Sequence, residues 1–267
     1  TLGYLFSTYW QGQNDYEEIA SRAVEVPEDG QVTNLADLVV DWDALRAINP
    51  DIVAWVYMPG TIINYPVAHK DGDSEYYLHH NFSLGEGSFG AEFGSIMLSG
   101  ENAGDFSDEV NILYGHHMRN GSMFALFAEF RDSAIFNEHR TIYLLTPEGN
   151  YRLQTFAVEH VPMTHASIAT PNYPTDEEFT AFKDWLVEES IVTPDPDTTD
   201  TLADATKLFG FCTCDGADNT LRYITFADVA EFVPISYVGS DTYQGDTAVE
   251  DGAADEIAAD AQERAEN

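Results

Sequence analysis

Apolar residues recur with the three- and four-residue spacing of an amphipathic helix in four segments of the chain. Three of these segments begin with a capping residue, and in the first of them Asn14 is followed by Glu17 three residues on. Asp41 precedes an apolar run that stops at Pro50. Thr175 forms a capping box with Glu178 ahead of the longest segment. The pattern therefore predicts helices over residues 14–24, 41–48, 122–130 and 175–189.

Shorter apolar runs bounded by Gly, Pro, Asn and Asp occupy much of the remaining chain, and such runs are typical of strands. The first two are separated by Pro59-Gly60, which predicts a β-hairpin. Residues 25–36 and 193–205 have the composition of surface loops. The predicted strands span residues 52–57, 62–67, 95–98, 109–114, 141–146, 151–162, 206–213 and 221–233. Many short strands with few helices indicate a mainly β domain, either a closed barrel or a sandwich.

Acidic residues dominate the charge of the chain. Its 267 residues include 47 Asp and Glu against 11 Lys and Arg, so the formal net charge is −36. Such a charge repels a phosphate backbone and an anionic lipid surface, which excludes nucleic acid and an electrostatically bound membrane as partners. Apolar residues still make up 44% of the chain, enough for a folded core.

Both ends of the chain differ from its centre. Residues 241–267 hold nine acidic residues and one arginine, so we expect a solvated acidic tail there. The first ten residues are mostly apolar, as expected for a first helix or for the trimmed end of a membrane anchor. No run of 18 apolar residues follows, so the sequence predicts no transmembrane helix.

The two cysteines, Cys212 and Cys214, are separated by one residue. A disulfide between them would be strained, so the chain is not a small domain held by disulfides. Two thiols without nearby histidine or cysteine partners also make a poor metal site. The sequence thus predicts two free thiols and no metal centre.

Cys214 ends an apolar strand, and Arg222 begins the next one after a polar loop. Strands joined in this way pair antiparallel, which brings residue 222 close to residue 214. A guanidinium beside a thiol stabilises a thiolate or an oxyanion. The alternative is an unreactive buried cysteine and a surface arginine.

Two adjacent histidines, His116 and His117, follow the predicted strand at residues 109–114. A histidine on the loop at a strand exit is placed to reach a distant cysteine and form a Cys–His pair. The residues by themselves do not choose between these neighbours. Histidine precedes cysteine here, which is opposite to the order in papain-like proteases and argues against that class.

Several segments resemble class B sortases. Residues 113–124 (LYGHHMRNGSMF) are similar to the segment YGHN-M-x-x-G-S-MF that carries the catalytic histidine of that class. Residues 43–61, 63–67 (INYPV) and 76–80 (YYLHH) are similar too, and Thr213-Cys214 with Arg222 matches the end of the sortase TLxTC motif and its downstream arginine. The resemblance covers roughly residues 14–238 in the family's order.

The resemblance implies a closed sortase β-barrel with an N-terminal helical extension and the helix at residues 175–189 between two late strands. We expect an extension over residues 1–40, a catalytic domain over residues 41–240 and a disordered tail over residues 241–267. It also implies a cysteine transpeptidase on the outer face of a Gram-positive cell, held by an N-terminal membrane anchor that this chain lacks. No cofactor is implied.

By the same resemblance, His116 is the catalytic histidine, Cys214 the nucleophile and Arg222 the essential arginine. Thr213 and Phe211 are expected to shape the peptide-binding site. The chain departs from the motif, which has Leu where Phe211 stands and Asn where His117 stands. These departures leave the sorting motif open, and Cys212 is either a second thiol near the site or a buried filler.

The expected reaction is an acyl transfer in which Cys214 cleaves a sorting signal and passes the acyl group to an amine of a cell-wall precursor or a pilin lysine. Two alternatives stay open: a catalytically silent β-barrel module that binds or scaffolds, and a simple cysteine hydrolase. A redox role for the two cysteines is a further, weaker alternative.

Overall fold

The computed structural model describes residues 16–25, 32–83, 94–165, 170–196, 201–240 and 243. Its strands are β1 (Val24–Glu25), β2 (Val39–Val40), β3 (Ile52–Tyr57), β4 (Asn64–His69), β5 (Ile96–Leu98), β6 (Val110–Tyr114), β7 (Thr141–Thr146), β8 (Gly149–Pro162), β9 (Leu208–Cys214) and β10 (Leu221–Pro234). Its helices are α1 (residues 16–23), α2 (Trp42–Ile48), α3 (Ala125–Glu129), α4 (Ser133–Glu138) and α5 (Asp176–Glu189).

Strands β3 to β10 close into a barrel in the order β10-β8-β7-β3-β4-β5-β6-β9. Most neighbours pair antiparallel, but β4 pairs with β5 and β6 pairs with β9 in parallel. Strand β9 therefore lies between β10, its antiparallel hairpin partner, and β6. This arrangement places the ends of three strands that are distant in sequence next to one another.

The two faces of β9 pack into different apolar clusters because side chains alternate along a strand. Phe209 and Phe211 belong to the large cluster that also contains residues of β3, β4, β7 and α3. Leu208 and Cys212 belong to a second cluster, which α5 covers with an apolar stripe. That stripe consists of Phe179, Phe182 and Leu186.

The N-terminal helix packs on the barrel. Tyr16 is 3% exposed; its ring meets Tyr65 edge to face, and its hydroxyl donates to the Gly94 carbonyl. Ile19 is also buried in the large cluster. The expected helical extension is thus observed over residues 16–23, while residues 1–15 and all of the acidic tail except Tyr243 lie outside the described residues.

The hydrophobic pattern predicts most of the elements. All eight predicted strands are present within a few residues of their expected bounds, and so is the predicted closed barrel. Asp41 and Thr175 cap α2 and α5 through their side chains, as predicted. Helix α3 is shorter than predicted, and α4, capped by Asp132, was not predicted. Among the described residues, no helix has both the length and the apolar character to cross a membrane.

Glu159 on β8 predicts a pH dependence of stability. Its side chain is buried, and its Oε1 has no hydrogen-bond partner among the described residues. Burial together with the nearby Glu189 raises the pKa of its carboxyl to about 7. The folded state therefore holds a proton that the unfolded chain releases above its ordinary pKa of 4.5. This contribution to stability is largest at acid pH and is lost as the pH rises from that value to about 7.

We expect Glu159→Gln to raise the free energy of unfolding at pH 8 by about 2 kcal/mol, because it removes a buried charge. At pH 5 the gain should be much smaller. Urea unfolding at both pH values measures this gain in stability. Glu188→Gln is the control, because Glu188 is exposed and precedes Glu189 in the sequence. An equal effect at pH 5 and pH 8 would contradict the assignment.

Candidate active site

The β9–β10 hairpin brings Cys214 and Arg222 together. Cys214 is the last residue of β9 and pairs directly with Arg222 in the antiparallel register, as the hairpin prediction requires. Cys214 is partly exposed, whereas Cys212, two residues earlier, is 1% exposed. The thiol that lies beside the guanidinium is therefore also the accessible one.

The parallel pairing of β6 with β9 brings the two histidines to the same place. Tyr114 is in register with Cys212, and beyond that pair the Gly115 amide donates to the Cys212 carbonyl at 3.1 Å. The Thr213 hydroxyl donates to the Gly115 carbonyl at 2.8 Å. Because parallel strands advance together, the next residue after Gly115, His116, lies beside Cys214.

His116 and His117 have different hydrogen-bond partners. His116 Nε2 lies 2.8 Å from the Leu78 carbonyl oxygen, and His117 Nδ1 lies 2.9 Å from the Cys214 carbonyl oxygen. A carbonyl only accepts, so each of these nitrogens carries a proton. In its neutral form His116 keeps a free lone pair on Nδ1, while His117 uses its Nδ1 proton to hold the backbone of the nucleophile.

Close packing fixes the loop that carries the histidines. The Phe124 amide donates to the His116 carbonyl at 3.0 Å, and Met123 adopts a left-handed backbone with φ of 57°. A Cβ on Gly115 would lie 2.5 Å from the Phe124 ring. A Cβ on Gly216 would lie 2.7 Å from the His117 ring. Each of the two loops that flank Cys214 thus needs glycine at this position, because a side chain there would clash with a neighbouring ring.

Burial separates the two cysteines chemically. It raises the pKa of the Cys212 thiol to about 12, although the charge of Arg222 acts in the opposite direction. Cys212 therefore stays protonated at neutral pH and packs as a small apolar residue. Of the two interpretations of Cys212, the structure supports the buried filler.

Arg222 keeps hydrogen-bonding capacity in this structure. Its Nη1 donates to the backbone carbonyls of Asn219 at 2.7 Å and Leu221 at 2.9 Å. A guanidinium has five N–H donors, so the donors on Nε and Nη2 stay available for another oxygen. Among the described residues, no carboxylate forms an ion pair with Arg222, so its charge is not compensated locally.

Asp215, directly after the nucleophile, anchors the hairpin loop; the sequence analysis did not identify this residue. Hydrogen bonds from the Asp218 and Ala217 amides and from His160 hold the pKa of its carboxyl below the usual range. His160 Nε2 lies 2.9 Å from Asp215 Oδ2, and its ring stacks on Tyr223. The only available sequence signal was the Asp-Gly turn, which gives no indication of the distant His160.

Thr213 and Phe211, expected to shape the peptide-binding site, are both buried. Phe211 is fully buried and stacks on Phe127 with ring centroids 5.2 Å apart. Thr213 is 2% exposed, and its hydroxyl bonds Gly115. Both side chains pack inside the barrel, and their expected part in shaping the peptide-binding site stays a prediction. Strand alternation turns both away from the face that carries Cys214.

The arrangement combines an accessible thiol, an imidazole on one side and a guanidinium on the other. These groups are a nucleophile, a proton donor and acceptor, and an oxyanion stabiliser. Among the described residues, no group of three or more His, Cys, Asp or Glu side chains is placed to hold a metal ion.

Comparison with known proteins supports the resemblance seen in the motifs. No family model matches the chain. Sortase B of Listeria monocytogenes is 29% identical over 197 residues, which cover 71% of this chain and 78% of that protein.

Solved structures agree with the sequence comparison. Sortase B of Bacillus anthracis has a TM-score of 0.65 at 27% identity, covering 84% of this chain and 98% of that chain. A sortase B–substrate complex from Staphylococcus aureus has a TM-score of 0.59 at 25% identity, covering 70% of this chain and 83% of that chain. In both fold and sequence, the chain is thus similar to class B sortases.

Proposed function

We propose that this chain, a homologue of the class B sortases in sequence and fold, cleaves a sorting peptide through a Cys214 thioester and transfers the acyl group to an amine. One observation carries the proposal: the accessible Cys214 lies in register with Arg222 on β10, and the register of β9 with β6, continued two residues past Tyr114, leads to His116. A nucleophile, an oxyanion stabiliser and a proton carrier then meet at one barrel edge.

In the first step, the Cys214 thiolate attacks the carbonyl carbon of the scissile peptide bond. The developing oxyanion accepts hydrogen bonds from the Nε or Nη2 donors of Arg222. Protonated His116 gives its proton to the leaving nitrogen, and the C–N bond breaks. The products are a thioester on Cys214 and a free amine.

In the second step, a neutral amine attacks the thioester carbonyl. A new C–N bond forms, the C–S bond breaks, and Cys214 leaves as a thiolate. His116, now neutral, takes the proton that the attacking nitrogen loses. The cycle restores the starting state, and the Leu78 carbonyl holds the His116 ring throughout because it accepts from Nε2.

Two partners follow from this chemistry: the sorting-signal peptide of a surface protein, and an amine acceptor that is a peptidoglycan precursor or a pilin lysine. The substrate complex of the S. aureus relative supports a peptide as the first partner. We place the reaction on the outer face of a Gram-positive cell, on the model of the Listeria and Staphylococcus relatives, with N-terminal anchoring as part of the proposal.

Product analysis separates the transpeptidase from the two alternatives. With a sorting peptide that the enzyme cleaves, we expect hydrolysed peptide without an added amine, and mainly the amide product with 5 mM alanine amide (an amount on the order of the upper range of ordinary KM values). Unchanged hydrolysis with the amine present would indicate a cysteine hydrolase. A Cys214 that fails to react with iodoacetamide at neutral pH would indicate a silent module.

A further inference from the structure

A groove of about 410 Å³ opens beside His117. Thr61 and Ile62 in the β3–β4 turn line it, and so do Leu126 and Glu129 of α3. Ile62 is 40% exposed, so the groove presents an apolar surface to solvent. His117 connects it to the nucleophile, because the same ring bonds the Cys214 carbonyl.

The charge of the groove is opposite to that of the chain. Its titratable lining consists of His117, His139, Arg119 and Glu129. Glu129 is paired with Arg131, with oxygen and nitrogen 3.4 Å apart. Arg119 is exposed and, among the described residues, has no hydrogen bond or ion pair. In a chain of net charge −36, the groove thus carries an uncompensated positive charge close to Cys214.

We propose that this groove is the acceptor subsite, and that Arg119 selects amine acceptors that carry a carboxylate near the amine. The inference rests on the proposed function and adds the chemical class of its second substrate. The amine points toward the Cys214 thioester past His117, the aliphatic part of the acceptor contacts Ile62 and Leu126, and the carboxylate pairs with Arg119.

The reach of the groove limits where that carboxylate stands. One residue, Met118, separates His117 from Arg119, so their Cα atoms lie at most about 7 Å apart. An acceptor with its carboxylate on the residue of the amine or on the next residue fits this span. A lysine within a basic segment lacks the carboxylate and brings extra positive charge to Arg119, so it fits poorly.

Dialanine and dialanine amide test the proposed preference for a carboxylate, since they differ only in the terminal carboxylate. With any sorting peptide that acylates Cys214, we expect the carboxylate to lower the acceptor KM about fivefold in the unmodified protein. Arg119→Ala should remove that preference, Arg119→Lys should keep most of it, and Arg119→Glu should reverse it. The preference should also shrink in 1 M NaCl.

Arg46→Ala is the matched control, because Arg46 is an exposed arginine whose carboxylate partner is Asp43 on α2. No preference in the unmodified protein, or an unchanged preference in Arg119→Ala, would overturn the inference.

A binding measurement on the resting protein tests the acceptor subsite separately from the transpeptidase reaction. In NMR titrations of the Cys214→Ala chain, dialanine should shift the signals of Ile62 and Leu126 more than dialanine amide does. Arg119→Ala in the same background should abolish that difference. Equal shifts with both peptides would overturn the inference, even if no sorting peptide acylates the chain.

Discussion

Replacing Cys214 with alanine is expected to abolish cleavage of a sorting peptide, with a loss of at least about 10⁴-fold in kcat/KM. The neighbouring thiol of Cys212 does not replace that of Cys214, since Cys212 is buried and its pKa is raised to about 12. Cys212→Ala is the matched control, because it removes the neighbouring thiol from the same face of β9. We expect it to keep kcat/KM within about threefold and to lower stability by about 1 kcal/mol.

The comparison uses initial rates of peptide cleavage and urea unfolding for both variants. A Cys214→Ala protein that stays folded and inactive, beside an active Cys212→Ala protein, is the expected pair of results. Activity that survives in Cys214→Ala and disappears in Cys212→Ala would show that Cys212 is the nucleophile and would contradict our assignment.

Replacing His116 with alanine is expected to lower kcat/KM roughly 10³-fold, the usual contribution of a general acid and base. His117→Asn should keep activity within about tenfold. The asparagine amide also donates a hydrogen bond, so it can replace the His117 Nδ1–H group at the Cys214 carbonyl.

His117→Ala lacks that donor, so it should fall between the two variants. Rates measured from pH 5 to pH 9 distinguish the roles, because only loss of the proton-transferring histidine changes the shape of the profile. If His117→Asn loses as much activity as His116→Ala and flattens the profile, then His117 carries the proton and our assignment is wrong.

Much of the fold could be predicted from local sequence signals. Each strand of the barrel is an apolar run between turn residues, and α5 combines a capping box with a stripe at helical spacing. The pairing of Cys214 with Arg222 was also predictable, because a six-residue loop joins their strands and hairpin partners are neighbours in sequence. Helix α4 escaped prediction since its six residues are too few to show an apolar stripe at helical spacing.

Other parts of the site depend on contacts between distant segments, which no local pattern reveals. The register that leads from Cys214 to His116 depends on the parallel pairing of β6 with β9, which the closed barrel sets. The Leu78 carbonyl that holds His116 is a backbone group, so any residue type would supply it. Phe211 lies in the core because side chains alternate along β9, and its expected part in shaping the peptide-binding site stays a prediction.

Two arginines near the site contrast with the acidic character of the chain. Arg222 has no carboxylate partner among the described residues, and neither does Arg119 in the groove beside His117. These two arginines stand where an oxyanion and an acceptor carboxylate would form or bind. The rest of the surface is acidic and attracts cations. The unpaired positive charge next to the thiol is therefore a local feature of the site.

Mass spectrometry of the protein after incubation with a library of sorting peptides tests the central claim most directly. Our account predicts an acyl adduct that peptide mapping places on Cys214 and that disappears when dialanine is added, with release of the amide product. An adduct on Cys212, or a chain that stays unmodified by the whole library while Cys214 reacts with iodoacetamide, would contradict it.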